Sequence, residues 1–105
     1  MEDFVIATNS DNRLEAFYID STSTVMHTWQ INPWDKTKWS PAQQLFGTNP
    51  HTGGSNQPLT NALRVEACTD ERRQIQVIAF TKDGKYYTCY QTPGFWNGWI
   101  EIIQS

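Results

Sequence analysis

The sequence has few charged residues and no cluster of basic ones. Charged side chains make up 18% of its 105 residues, and the formal net charge is −3. Proteins that bind a phosphate backbone neutralise it with clustered Lys and Arg side chains. We therefore expect no nucleic-acid partner.

Long apolar runs and a leader sequence are also missing. The longest apolar runs extend over a few residues, whereas a membrane-spanning helix needs about 20, so we expect no membrane insertion. The start Met1-Glu2-Asp3 has neither the basic nor the apolar region of a signal peptide. We expect synthesis in the cytoplasm. The final location stays unknown, and release by a non-classical route is left open.

Residues that carry catalysis or bind metals are sparse. The chain has two histidines, His27 and His51, no Cys-x-x-Cys or other metal-ligand spacing, and no Gly-rich phosphate loop after a strand. The pattern predicts no enzyme activity, no metal and no cofactor. One alternative is a paired-carboxylate glycosidase in which Glu15 and Glu66 converge across protomers.

What the chain does have is aromatic residues and short β-type runs separated by turn-forming segments. Four strands are predicted in the first half, and the pattern starts again at Leu63. The segment 47–58 is dense in Gly, Pro, Asn and Thr, which indicates a linker or a long surface loop. The four predicted strands of the first half cover residues 4–8, 14–19, 25–31 and 39–45.

The second half of the sequence repeats the first. Val5-Ile6-Ala7-Thr8 matches Val65-Glu66-Ala67-Cys68 at an offset of sixty, and one inserted residue near Arg73 makes the offset sixty-one from there on. Further along, Trp39-Ser40-Pro41-Ala42 aligns with Trp96-Asn97-Gly98-Trp99. Four strands in a repeat of about 45 to 50 residues are typical of a β-propeller blade.

We therefore predict an all-β chain of two four-stranded antiparallel propeller blades, with blade 1 at 1–47, a linker loop at 48–61 and blade 2 at 62–105. Propellers close with about four to eight blades, so two blades would leave apolar faces exposed and favour head-to-tail association. A homotrimer with six blades is favoured over a tetramer with eight. A β-sandwich or a closed barrel is the alternative fold.

The two cysteines are predicted not to form a disulfide. In the blade order Cys68 and Cys89 occupy the first and third strands, which places them about 9.6 Å apart, beyond the ~7 Å that a bridge allows between Cα atoms. We expect free and largely buried thiols.

The polar and aromatic residues suit a sugar. A pyranose has an apolar C–H face and a rim of hydroxyls, so its site needs an aromatic platform beside amide, carboxylate or imidazole groups. Structural alternatives stay open: the tryptophans could pack at a blade rim, His27 could be a hydrogen-bonded core residue, and Glu15 could cap a neighbouring blade. The candidates are Trp39, Trp96 and Trp99 as platforms, Glu15, His27, Gln30 and Gln91 as polar groups, and Arg13 and Arg73 as further donors.

Residues 13–42 contain the motifs R-L-E-A-F, M-H-T-W-Q and W-S-x-A in this order. This pattern resembles one blade of the bacterial propeller lectins of the PLL type. Those lectins repeat approximately L-E-V-F, a D-G turn, H-x-W-Q and W-x-x-W in each blade. The second repeat matches with I-Q-V-I at 75–78, D-G at 83–84, Y-Q at 90–91 and W-N-G-W at 96–99.

This resemblance implies carbohydrate binding without catalysis, chiefly of fucose and related sugars, in pockets between adjacent blades. Family members usually carry many blades on one chain, whereas this chain would have to assemble them. Ala42 replaces the second Trp of the first repeat, and Gln76 and Thr88 stand in the second repeat where Glu15 and His27 stand in the first. Gln76 is therefore a further candidate, and the two kinds of pocket are expected to differ in affinity.

A second lectin group builds six-bladed rings from two-blade chains and binds fucose through an Arg, a Glu and a Trp. This chain has Glu15 and Gln76 where that Arg would lie, so the chemistry is not copied. The functional expectation is a multivalent lectin whose repeated weak sites gain avidity for glycans. The alternative is a propeller scaffold that binds a protein on its flat face or central mouth, with structural aromatic residues.

Overall fold

The computed structural model describes residues 3–47 and 56–104, and its regular structure there is entirely β. Eight strands form two four-stranded antiparallel sheets, in the orders β1-β2-β3-β4 and β5-β6-β7-β8. The predicted all-β class is confirmed for this part of the chain. Most of the predicted linker, residues 48–55, lies outside the described residues. The strands are β1 Phe4–Thr8, β2 Leu14–Ile19, β3 Val25–Trp29, β4 Gln43–Gln44, β5 Ala62–Thr69, β6 Ile75–Thr81, β7 Tyr86–Thr92 and β8 Phe95–Glu101.

The first two strands have the predicted bounds, but the fourth is shorter than predicted. Only Gln43–Gln44 forms a strand, although an isolated bridge also joins Gln30 to Trp39. Pro41 lies between these two contacts and has no backbone N–H to donate, which interrupts the ladder. The third strand ends at Trp29 rather than at residue 31.

Over the first three strands, the two sheets repeat one another at an offset of sixty-one residues. Thr8 lies opposite Leu14 in the first sheet, and Thr69 lies opposite Ile75 in the second. The predicted offset of sixty before Arg73 is therefore wrong. That alignment matched Val5 with Val65 because both are apolar, although they lie on different faces of their sheets. A slip of one residue moves every side chain of a strand to the other face.

The tight turns confirm the same equivalence. Asn12 and Arg73 have left-handed φ angles of 71° and 64°, and Ser23 and Gly84 have φ angles of 65° and 81°. Each pair is separated by sixty-one residues in the sequence. In both sheets, the turn after the first strand and the turn after the second strand therefore use the same backbone geometry.

Stacking of the two sheets buries one face of each. On the first sheet the covered face carries Val5, Phe17 and His27, which share a register row. Because Phe17 packs edge-on against Trp96 with ring centroids 5.9 Å apart, this face points to the second sheet. The second sheet contributes the row of Ala67, Val77 and Cys89. One apolar core therefore spans both sheets.

The sheets use opposite faces for this contact. Val5 lies on the covered face of the first sheet, whereas its equivalent Glu66 lies on the exposed face of the second sheet in a row with Ile78. Ile6 lies on the exposed face of the first sheet, whereas its equivalent Ala67 packs in the core. Each exposed face thus repeats a face that is covered in the other sheet, so the stacking is head-to-tail.

The free-thiol prediction is confirmed, but the burial prediction is correct for only one cysteine. Cys89 is buried in β7, while Cys68 is exposed on β5. Cys68 pairs with Gln76 in register and shares its outward direction, away from the first sheet. Among the described residues no helix has the length and apolar character that crossing a membrane requires.

Cys89 is expected to resist alkylation as long as the fold is intact. Burial raises the pKa of the Cys89 thiol, so the reactive thiolate is scarce, and the core also blocks the reagent. A Cys68→Ser variant, treated with iodoacetamide and weighed by mass spectrometry, should take up no label in buffer and one label in denaturant. Equal labelling rates under both conditions would contradict the buried placement.

Candidate functional site

A pocket opens where the β1–β2 turn of the first sheet meets the β7–β8 turn of the second. We call it the inter-sheet pocket. Its outer chamber of about 460 Å³ and inner chamber of about 180 Å³ share Asn9, Arg13, Gln91 and Trp96. The outer chamber falls within the range of roughly 300–1,000 Å³ that is usual for small-molecule sites. Both sheets contribute walls, so the pocket exists only when they are stacked.

A hydrogen-bonded chain of side chains runs across the inner chamber from one sheet to the other. The Ile75 backbone N–H donates to Gln91 Oε1 at 2.8 Å, and Gln91 Nε2 donates to Asn9 Oδ1 at 2.9 Å. Asn9 Nδ2 donates to Glu15 Oε1 at 3.0 Å. Glu15 Oε2 lies 2.7 Å from His27 Nδ1. We call this chain the relay.

The relay is largely removed from water. Asn9, Glu15 and His27 expose only 6%, 4% and 7% of their surface. A buried carboxylate is costly unless its oxygens are satisfied, and here Asn9 and His27 satisfy one oxygen each. The relay therefore stabilises an otherwise unfavourable carboxylate and also joins the two sheets.

Arg13 lies at the rim of the pocket. Its Nε donates to Asp11 Oδ2 at 2.6 Å, and its Nη1 donates to the Gln30 carbonyl oxygen at 3.3 Å. Burial acts to raise the pKa of Asp11, but the hydrogen bonds and charge of Arg13 outweigh it and hold that pKa below its ordinary value. A guanidinium has five N–H donors, so Arg13 keeps donors for a ligand.

Aromatic rings surround the imidazole of His27. Trp96 meets it edge-on with ring centroids 5.9 Å apart, and Trp29 is tilted against it at 4.9 Å. Trp96 is partly exposed and lines both chambers, and Phe95 adds an exposed ring to the outer chamber. The pocket thus combines an aromatic wall, a cationic donor and an imidazole.

Five of the predicted site residues meet in this pocket, namely Arg13, Glu15, His27, Gln91 and Trp96. The sequence did not single out Asn9 and Phe95, which also line it. Asn9 is a typical turn-forming residue, and its Nδ2 donates to the Arg13 carbonyl oxygen within the β1–β2 turn. No local signal distinguishes a turn asparagine from one that also contacts another sheet.

Two of the remaining predicted residues have structural roles. Gln30 is 4% exposed, and its Oε1 accepts a hydrogen bond from the Leu14 backbone N–H at 2.7 Å. Trp99 is 4% exposed, and its Nε1 donates to the Leu45 carbonyl oxygen at 2.9 Å. The indole of Trp99 belongs to the core between the sheets, so it does not line the inter-sheet pocket as the predicted sugar platform would.

Three further predicted residues lie elsewhere on the surface. Arg73 Nη2 donates to Asn12 Oδ1 at 2.8 Å, which ties the equivalent turns of the two sheets together. Gln76 Nε2 donates to Thr88 Oγ1 at 3.1 Å on the exposed face of the second sheet. Gln76 and Thr88 occupy the positions that Glu15 and His27 occupy in the first sheet, but neither side chain is charged.

Trp39 occupies on the first sheet the register position that Trp96 occupies on the second. Trp39 pairs with Gln30, and Trp96 pairs with Gln91.

The segment 96–99 divides its residues between the pocket and the core. Asn97 is fully buried, and its Nδ2 donates to Thr92 Oγ1 at 2.9 Å, which fixes the β7–β8 turn. A Cβ on Gly98 would lie 2.6 Å from the Thr88 carbonyl oxygen, so only glycine fits there. Trp96 lines the pocket, whereas Trp99 lies in the core between the sheets.

The described residues hold no group of three or more His, Cys, Asp or Glu side chains placed to bind a metal ion. The pocket can offer a ligand an aromatic surface, guanidinium donors and one ring nitrogen of His27. Comparisons of the whole chain with protein-family models and with curated proteins found no match in either case.

Proposed function

We propose that this chain is a multivalent, non-catalytic lectin that binds a monosaccharide in the inter-sheet pocket. The observation that carries the proposal is the convergence of Trp96, Arg13 and His27 on one pocket between two repeats. The resemblance to PLL-type lectins, stated above, adds fucose or a related sugar as the ligand.

The three groups match the chemistry of a pyranose. The exposed part of Trp96 offers a flat apolar surface to the C–H face of the ring. Arg13 supplies N–H donors to ring hydroxyls, and His27 supplies an imidazole nitrogen. The walls come from two sheets that share one apolar core, so the site is formed before a sugar binds and less ordering is needed on binding.

We further propose that the two sheets are propeller blades and that three chains close a ring of six. The support is the head-to-tail stacking: the exposed face of the second sheet, with Ile78 and Tyr86, repeats the covered face of the first. The exposed face of the first sheet, with Phe4 and Ile6, repeats the covered face of the second. A heterologous contact of this kind closes when the rotation divides the circle.

A glycan array with competition by free monosaccharides tests the sugar site. We expect binding to glycans that end in fucose or a related sugar, and we expect the free sugar at millimolar concentration to compete, because single weak sites gain strength through multivalency. Binding that no monosaccharide displaces would contradict the lectin function and would favour a scaffold that binds proteins.

A further inference from the structure

The relay across the inter-sheet pocket determines which atoms carry its hydrogens. The Ile75 backbone N–H can only donate, so the Gln91 group that faces it must be the oxygen. The Gln91 NH2 group then faces Asn9 and requires its oxygen there, which turns the Asn9 NH2 group toward Glu15. No freedom of amide orientation is left in this chain.

The last step of the relay sets the tautomer of His27. An ionised carboxylate can only accept hydrogen bonds, and Glu15 Oε2 lies 2.7 Å from His27 Nδ1. Nδ1 must therefore carry the hydrogen, and in the neutral ring Nε2 is a bare acceptor. Among the described residues Nε2 has no hydrogen-bond partner, and His27 lines the inner chamber.

We propose that His27 Nε2 is the acceptor by which the inter-sheet pocket selects a neutral, hydroxyl-bearing ligand. The inference rests on the proposed sugar-binding function and specifies its chemistry. A sugar hydroxyl donates its hydrogen to Nε2, and the lone pairs of sugar hydroxyls can accept from Arg13, which lines the same chamber. An anionic sugar acid offers no donor at its carboxylate and is disfavoured at Nε2.

The charged side chains around the His27 ring all come from the first sheet. Glu15 contacts His27 from β2, and Arg13 with Asp11 lies on the β1–β2 turn. The second sheet lines the inner chamber with Gln91 and Trp96, and both side chains are uncharged.

The tautomer can be measured directly by ¹⁵N NMR of the imidazole ring. A His51→Gln background leaves His27 as the one histidine. We expect a protonated Nδ1 and a bare Nε2 at pH 8. In Glu15→Gln we expect the opposite tautomer, with a bare Nδ1 and a protonated Nε2. The Asn9 NH2 group would hold the oxygen of the new glutamine, so the NH2 group of that glutamine would face Nδ1. Gln76→Glu, at the equivalent position of the second sheet, is the control and should leave the tautomer unchanged.

Sugar titrations then connect the tautomer to selection. We expect Glu15→Gln to weaken binding of the best neutral monosaccharide by about tenfold, the effect of one lost hydrogen bond to a ligand. A protonated Nε2 in the parent chain, or unchanged affinity in Glu15→Gln, would overturn the inference even if sugars bind. Absence of any sugar binding in a chain with the expected tautomer would instead overturn the ligand class together with the proposed function.

Discussion

Replacing Trp96 with Ala is expected to lower sugar affinity by about thirtyfold or more, which corresponds to the loss of a residue that dominates a binding site. Trp96 lines both chambers of the pocket and lies between the two sheets. Its removal takes away the aromatic surface and one wall that excludes water. Isothermal titration with the monosaccharide identified on the array measures the change.

The matched control for this prediction is Trp39→Ala. Trp39 pairs with Gln30 as Trp96 pairs with Gln91, but it does not line the inter-sheet pocket. Its removal should leave the affinity of the inter-sheet pocket for the monosaccharide unchanged. Trp96 also packs on Phe17, so thermal unfolding of both variants is needed to separate a loss of stability from a loss of binding. Equal losses of affinity in folded Trp39→Ala and Trp96→Ala proteins would contradict this site.

Replacing Ile78 with Glu is expected to convert a ring of three chains into monomers. The parent protein should have a native mass of three times the 12.1 kDa chain, because its two exposed sheet faces repeat faces that are covered within the chain. Ile78 is 39% exposed and occupies the position that Phe17 holds in the core of the first sheet. A carboxylate there would lose its hydration on association, a cost that exceeds the gain from the remaining apolar contacts. Native mass spectrometry measures the change.

Two further variants define the controls for assembly. Ile6→Glu alters the exposed face of the first sheet and should also give monomers. Ile103→Glu introduces the same charge at a residue that is 75% exposed and lies beyond β8, and the trimer should persist. A parent protein found only at the mass of a single chain would refute the ring, although the inter-sheet pocket and its sugar binding would still be open to test within that chain.

The sequence predicted the strands well where the evidence is local. The bounds of β1 and β2 agree with the prediction, because alternating apolar residues and turn-forming residues act within a few positions. The same reasoning overextended β4, since a Trp-rich segment looks β-forming even where Pro41 interrupts the ladder. It also misaligned Val5 with Val65, because apolar character does not reveal which face of a sheet a residue occupies.

The site was only partly predictable, and the glutamines illustrate the reason. Gln30 and Gln91 stand at equivalent positions, and each accepts a hydrogen bond from the backbone at the start of the neighbouring strand. Gln91 alone extends this contact, through Asn9, to the other sheet. Trp96 and Trp99 are likewise similar in sequence context, yet one lines the pocket and the other is buried under Leu45.

Local sequence patterns specified an all-β chain with two repeats of four short strands, because strand alternation and turn preference are properties of neighbouring residues. The packing of one sheet on the other selects the covered face of each sheet, the tryptophan that meets solvent and the nitrogen of His27 that has no partner among the described residues. These features depend on contacts such as Gln91 with Asn9, which are 82 residues apart in the chain. The pocket forms between two sheets, so no pattern within either repeat could specify it.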